Sequence, residues 1–252
     1  MRVPEEGIAH KSVVYYNREG NQRWTMRPHV IVNVAMSADG KLSTRERRQV
    51  KISGVQDFNR VDRLKAGSDA VMVGIGTVLA DDPSLTVKAE ECRTNRIRRG
   101  VDEHPIRIVV DSHARTPPDA SILLKGTGKR IIAVAEEADK ENVAHLQSLA
   151  TVIVAGRDRV DLTLLMDELG AMGIQRVMVE GGGTLIAGLI AAGLVDEIYT
   201  FIGNLVIGGK DAPTLADGAG FLKESEFCRL TLLETRKIEE GILLHWNVDH
   251  QP

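Results

Sequence analysis

Three consecutive glycines, Gly181–Gly183, stand between the apolar run QRVMVE and the helix-forming run TLIAGLIAAG. A strand that ends in glycines and passes at once into a helix leaves backbone N–H groups unobstructed at the positive end of that helix. This is a site for a phosphate or pyrophosphate. The plainer account is a tight strand-to-helix turn, which needs one glycine rather than three. The spacing differs from the dinucleotide fingerprint G-x-G-x-x-G, and the segment lies late in the chain. Glu180, immediately before the glycines, could accept hydrogen bonds from a ligand or help deliver a proton.

Three other segments carry candidate groups. In VGIGTVLADDPSLTVK, glycines Gly74 and Gly76 admit a flat ring close to the backbone. Thr77 offers a hydroxyl, Asp81 a carboxylate and Lys88 a cation, although a DP pair is commonly only a turn. DSHARTP follows a strand-like run, and its Ser112 and Arg115 together suit a ribose 2′-phosphate; a surface arginine after a strand explains the same spacing. In NVAMSADGKLS, Asp39-Gly40 makes a hairpin turn or brings Asn33, Ser37 or Asp39 to a substrate. The basic run Arg93, Arg96, Arg98 and Arg99 reads as a solvated loop rather than a phosphate site.

Other chemistries lack their residues. There is no H-x-E with C-x-x-C of a zinc deaminase, no G-x-S-x-G elbow and no histidine spacing suited to a metal. Cys92 and Cys228 read as ordinary reduced thiols. A net charge of -3 with interspersed signs argues against nucleic acid. Apolar stretches of about 6 to 8 residues fall far short of a membrane span, and the opening residues lack the features of a signal peptide, so the cytoplasm is expected. Chemistry without metal, nucleophile or obvious acid–base dyad fits hydride transfer, in which a cofactor carries the reactive atom.

The elements that must position these groups follow from hydrophobic periodicity. Residues 1–27 are polar and irregular and read as a loosely ordered extension; residues 28–252 read as one domain. HVIVNVAMS, DAVMVG, PIRIVVD, RIIAVA, ATVIVAG, QRVMVE and VDEIYTFIG are strands, mostly continuous apolar runs as in a sheet covered on both faces. SGVQDFNRVDRLKAG is a helix with a capping box from Ser53 and Gln56, a stripe of Val55, Phe58, Val61 and Leu64 or Lys65, and Gly67 at its end. DKENVAHLQSLA is a helix with stripe Val143, Leu146 and Leu149; Asp161 caps another with stripe Leu162, Leu165, Met166 and Leu169. RLTLLETRKIEEGILLHWNV closes the chain as a hairpin. The pattern predicts a three-layer α/β/α domain, mainly parallel, with an antiparallel C-terminal edge.

Six segments in order, NVAMSADGKLS, MVGIGTVLADDPSLTVK, IRIVVDSHARTP, VEGGGTL, GLVDEIYTFI and GGKDAPTL, resemble the reductase family of riboflavin biosynthesis, which is related in fold to dihydrofolate reductase; the likeness runs over about residues 28 to 248. The resemblance implies NADPH and a substrate, 2,5-diamino-6-(ribosylamino)pyrimidin-4(3H)-one 5′-phosphate, reduced at C1′ of the opened ribose to the ribitylamino product. It assigns Thr77, Asp81, Ser112, Gly181, Gly182, Gly183 and Thr184 to the cofactor, with Gly156 at its adenosine end, and Leu85, Lys88, Glu180 and Lys65 to the substrate. Lys88 or Lys65 could pair with the 5′-phosphate. It also implies a homodimer, although a buried core explains the apolar segments GTLIAGLIAAG and GLVDEIYTFI equally well. Bifunctional bacterial relatives carry a zinc deaminase domain that this sequence lacks; the stand-alone reductases of archaea and fungi act before deamination, which favours the undeaminated pyrimidine. Lys51 stands where those bacterial relatives carry a tryptophan. The rival readings are a dihydrofolate reductase, with Asp57 as its pterin acid, and a non-catalytic nucleotide-sensing domain.

Overall fold

The β-branched runs form strands, and the computed structural model describes them within residues 14–16, 22–24, 27–48 and 50–250. In chain order the elements are β1 (Val14–Tyr16), β2 (Gln22–Trp24), β3 (His29–Met36), α1 (Val55–Ala66), β4 (Ala70–Gly74), α2 (Ile75–Asp81), α3 (Glu90–Arg98) and β5 (Ile106–Val110). Then come α4 (Ser121–Leu124), β6 (Arg130–Val134), α5 (Lys140–Gln147), β7 (Thr151–Val154), α6 (Leu162–Ala171), β8 (Arg176–Val179), α7 (Gly183–Ala191), β9 (Glu197–Ile202), β10 (Arg229–Ile238) and β11 (Gly241–Asp249). The short β1 and β2 pair antiparallel. The expectation of a loose extension over residues 1–27 otherwise falls largely outside the described residues.

The other strands make one nine-stranded sheet in the order β10-β11-β9-β3-β8-β4-β5-β6-β7. From β9 to β7 every neighbouring pair is parallel, and β11 and β10 add an antiparallel edge. The chain winds outward from β4 to β7, returns through β8 to the gap between β3 and β4, then continues to β9 on the far side of β3. That reversal makes the carboxyl end of β8 a topological switch point, the place where open α/β sheets form a crevice. On one face Leu165, Met166 and Leu169 of α6 and Leu185, Ile186 and Leu189 of α7 pack against Val30, Val32, Met72 and Val177. On the other, Val78, Ile122, Leu123 and Leu146 of α2, α4 and α5 pack against Val71, Val109, Ile132 and Met178. No helix among the described residues is long and apolar enough to cross a membrane.

Local signals held at α6, where Asp161 Oδ1 accepts from the N–H groups of Thr163 and Leu164, and failed at α1. Gly54, not Ser53, is the N-cap there, and no side chain caps the helix. The Glu239 carboxylate, from the turn between β10 and β11, instead lies against Gly54 at the positive end of the helix. The expected stripe is also rotated. Val55 and Phe58 are 64% and 53% exposed, while Asp57 and Asp62 are buried. Asp62 faces inward because it accepts the N–H groups of Lys88 and Ala89 at 2.8 and 2.7 Å. The basic run is likewise a correction. It lies in and just after α3, and Arg96 is buried, donating to the carbonyls of Asp102, Ala66 and Ser68. A guanidinium there neutralises the negative end of α1.

The seam between β9 and its neighbours holds a second polar group. Glu197 accepts from His29 Nε2 and His245 Nε2, each at 2.8 Å. Burial alone would raise this carboxyl, but the two imidazole hydrogen bonds and their charge outweigh it and hold the carboxyl at about 2, below its ordinary 4.5. A depressed native value stabilises the fold above the unfolded value and ceases to do so as pH falls toward the native one. Wild-type thermal midpoints should therefore drop between about pH 4.5 and about pH 2, with a shallower drop in Glu197→Gln; equal slopes for the two proteins would refute this.

Candidate active site at the carboxyl edge of the sheet

The glycine turn sits at the switch point. Glu180 N donates to Met72 O at 3.0 Å and Gly74 N to Gly181 O at 3.3 Å, so the turn stays bonded to β4. Gly181 and Gly182 have φ of +148° and +87°, conformations that L side chains rarely adopt. A Cβ on either would meet nothing tighter than Thr77 Oγ1, at 3.6 and 3.5 Å. Gly183 is glycine for a different reason: a Cβ there would lie 2.5 Å from both Asp217 Oδ2 and Thr214 O. Two of the three glycines thus serve backbone conformation and one serves close packing. No acceptor among the described residues takes the N–H groups of Gly182 and Gly183 at the head of α7, and no side chain caps that helix. Unpaired amides at a helix N-terminus are complementary to an anion.

Thr77 faces this turn from α2, which begins directly at the end of β4. Asp81 ends α2; it is exposed at the surface, and partial desolvation raises its carboxyl. Asp82 has φ +42° and accepts from Ser121 N and Ser121 Oγ, both at 2.7 Å. The expected DP turn is therefore also a tie to α4. It sends the chain back along the sheet face, where Leu85 is buried with φ +53°.

That returning segment, α1 and the end of β8 converge. Lys65 Nζ lies 3.0 Å from Glu180 Oε1, with side chains only 11% and 16% exposed. The contact is one of charge, since Oε1 has no aligned donor. Lys88 Nζ donates to Ser84 Oγ at 2.8 Å and Thr86 Oγ1 at 2.7 Å. Desolvation first, and then the nearby charge of Lys65, lowers the Lys88 ammonium below its ordinary value. Lys65 thus faces a carboxylate, whereas Lys88 is held by neutral hydroxyls.

Across β4, β5 and β6 lie the other expected residues. Ser112 follows β5; its Oγ accepts from Val160 N at 3.0 Å, and its carbonyl accepts from Ala135 N at 3.2 Å. Gly156, at φ +84°, follows β7, accepts from Glu136 N at 3.0 Å, and has no room for a Cβ beside Arg159 O. Arg115 points toward the buried Asp111, with Nε 3.9 Å from Oδ1, so the serine–arginine pairing read from spacing is partly diverted. From β8 to β7 there are four strand spacings, about 19 Å of edge. Gly156 therefore stands at the far end of a row that begins at the glycine turn, with Ser112, after β5, about midway.

The NVAMSADGKLS candidates have internal duties. Asn33 Oδ1 accepts from Arg60 Nη2 at 2.8 Å, Ser37 Oγ donates to Asp39 Oδ1 at 2.6 Å, and Asp39 accepts from Ile207 N and Gly208 N at 3.0 and 2.8 Å. Sequence reasoning missed Arg60, Thr214 and Asp217. The spacing of Asp57 and Arg60, paired at 2.7 Å, was a readable signal; the approach of Asp217 to Gly183 had none.

Fold and site define an α/β protein that presents two unpaired helix-head amides beside a lysine–glutamate pair at the carboxyl edge of its sheet. The chain belongs to the RibD C-terminal domain family, whose model matches residues 28–244. It is 50% identical over 216 residues to the 2,5-diamino-6-ribosylamino-4(3H)-pyrimidinone 5′-phosphate reductase of Archaeoglobus fulgidus, covering 86% of this chain and 96% of that protein. It is 44% identical to the protein of the same name from Methanothermobacter thermautotrophicus, covering 88% and 99%. Among solved structures, Acinetobacter baumannii RibD superposes with a TM-score of 0.72 at 24% identity, over 88% of this chain and 58% of that one. The Saccharomyces riboflavin biosynthesis reductase Rib7 gives 0.64 at 20% identity, over 93% and 95%. These likenesses establish the dihydrofolate reductase-like fold.

Proposed function

We propose that this chain reduces 2,5-diamino-6-(ribosylamino)pyrimidin-4(3H)-one 5′-phosphate to its ribitylamino product with NADPH. The observation that carries the reading is the pair of unpaired amides at Gly182 and Gly183, opening beside Lys65, Glu180 and Lys88. The names of the archaeal relatives support the same substrate and reaction.

The residues fit the cofactor. Gly181 to Thr184 would cradle its pyrophosphate, Thr77 and Asp81 would border the nicotinamide half, and Ser112 and Gly156 would hold the adenosine side, about 10 and about 19 Å along the edge. NADPH supplies the hydride that C1′ of the opened ribose receives. Reduction of a C=N bond also consumes one proton. Glu180, held in place by Lys65, is the group on this chain to move that proton to the imine nitrogen. Lys88, backed by Ser84 and Thr86, would pair with the 5′-phosphate, and Leu85 would pack against the pyrimidine. The folate reading loses its acid, because Asp57 is buried and paired with Arg60. A homodimer would meet at the edge hairpin. Nine of the ten residues of β10 are exposed, including Leu230, Leu232 and Leu233, beside Ile242 of β11, so this unpaired edge suits a second copy of the chain.

The test follows absorbance of the reduced nicotinamide with deaminated and undeaminated substrate, each with NADPH and NADH. Oxidation is expected only when substrate is present, and fastest with NADPH and the undeaminated pyrimidine. Tight NADPH binding without turnover on either substrate would overturn the enzyme reading in favour of a nucleotide sensor.

A further inference from the structure

Residues 203–217 leave β9 and run as a strap from the end of β3 to the head of α7. At its near end, Gly203 N donates to Met36 O at 2.9 Å and Ala38 N to Leu205 O at 2.8 Å. Asp39 then takes two successive strap amides, Ile207 N at 3.0 Å and Gly208 N at 2.8 Å, while Ser37 Oγ at 2.6 Å fixes its rotamer. Further along, Lys41 Nζ donates to Ala212 O at 3.3 Å and Leu42 N to Pro213 O at 2.9 Å. At its far end, Asp217 Oδ1 accepts from Thr214 N and Thr214 Oγ1 at 3.0 and 2.7 Å, and Asp217 N donates to Gly183 O at 3.0 Å. Thr214 O and Asp217 Oδ2 press on Gly183 so closely that no Cβ fits.

Asp39 is exposed, so burial of its side chain contributes little to stability. Its hydrogen bonds lower its carboxyl, Ser37 first and then Ile207, to about 2, so it carries full charge at any working pH. An exposed carboxylate with three donors aimed at it, two of them successive amides of the strap, organises the segment that supplies those two. That segment's other end forms one wall of the glycine turn.

We propose that Asp39 is a positioning residue for the cofactor cradle, acting through the 203–217 strap, whose far anchor Asp217 sets the place of Gly183. The inference rests on the reading of the glycine turn as the NADPH site. Asp39 is engaged by Ser37 and the strap amides, and its effect is on where the amides of Gly182 and Gly183 stand before the ligand arrives. Preorganised donors bind more tightly because their ordering cost is met in folding.

Two readouts test it. The NADPH dissociation constant is measured for wild type, Asp39→Ala, Asp39→Asn, Asp217→Asn and the Asp39→Ala/Asp217→Asn double variant. Amide hydrogen exchange over residues 181–186 is measured on the same proteins without ligand. Asp39→Ala is expected to weaken NADPH about tenfold and to speed exchange at the turn. Asp39→Asn, which keeps one acceptor oxygen able to take a strap amide, should fall between. Because both carboxylates act on one strap, the double variant should lose less than the product of the two single losses. Unchanged NADPH affinity and unchanged exchange in Asp39→Ala would overturn the proposal, and so would fully multiplicative losses. A wild type that fails to bind NADPH would instead overturn the cofactor reading; exchange at 181–186 would then decide the strap.

Discussion

Glu180→Gln is expected to lower turnover by about 10²- to 10³-fold, the usual worth of a positioned proton-transfer group, with NADPH affinity changed by no more than about twofold. The amide keeps the shape and loses the proton-accepting oxygen. It also leaves Lys65 facing a neutral group in a site where both side chains are nearly closed off from water. An unpaired ammonium there should cost about 1–2 kcal/mol of stability, below the value for a fully buried pair because some solvent reaches it. The two effects separate in the Glu180→Gln/Lys65→Met variant. Removing both charges should restore most of the stability and none of the turnover. Near-wild-type turnover in Glu180→Gln would move the proton step to another group.

Gly182→Asp should weaken NADPH by more than about 100-fold, since it places a carboxylate where the cradle presents N–H groups to an anion. The fold should survive with a modest loss. A Cβ at Gly182 meets Thr77 Oγ1 at 3.5 Å and Gly74 Cα at 3.7 Å, ordinary contacts. The φ of +87° is the remaining cost, about 1–3 kcal/mol for a side-chain-bearing residue. Gly182→Ala puts a Cβ at the same positive φ without the carboxylate. The difference in NADPH affinity between the two variants therefore reports the carboxylate, its charge together with its bulk. If aspartate and alanine bind the cofactor equally, the turn does not hold its phosphates.

How the molecule divides between sequence and structure can be followed through particular residues. The apolar runs became strands because side-chain period is a local property: Val30, Val32, Met72, Val177 and Ile132 announce burial on both faces wherever their neighbours lie. The cap at Asp161 is equally local, an oxygen reaching amides two and three residues on. The glycine turn was legible for the same reason, since a strand, three glycines and a helix in direct succession leave amides unpaired at the helix head.

Everything that depended on which segments meet was decided by the tertiary structure. The insertion of β8 between β3 and β4 put Glu180 beside Lys65, and no spacing along the chain encodes that distance. The same holds for Glu239 taking the place expected of Ser53, for Arg96 turning inward to the end of α1, and for the rotation of α1 that leaves Phe58 outside and Asp62 within. In each case a polar group is placed by segments far away in sequence: Arg96 and Asp62 by hydrogen bonds, Glu180 and Glu239 by proximity to a charge or a helix end. Propensity, capping preference and hydrophobic period see only a few residues at a time, whereas buried charges and free amides are satisfied by whatever the folded chain brings within hydrogen-bond reach.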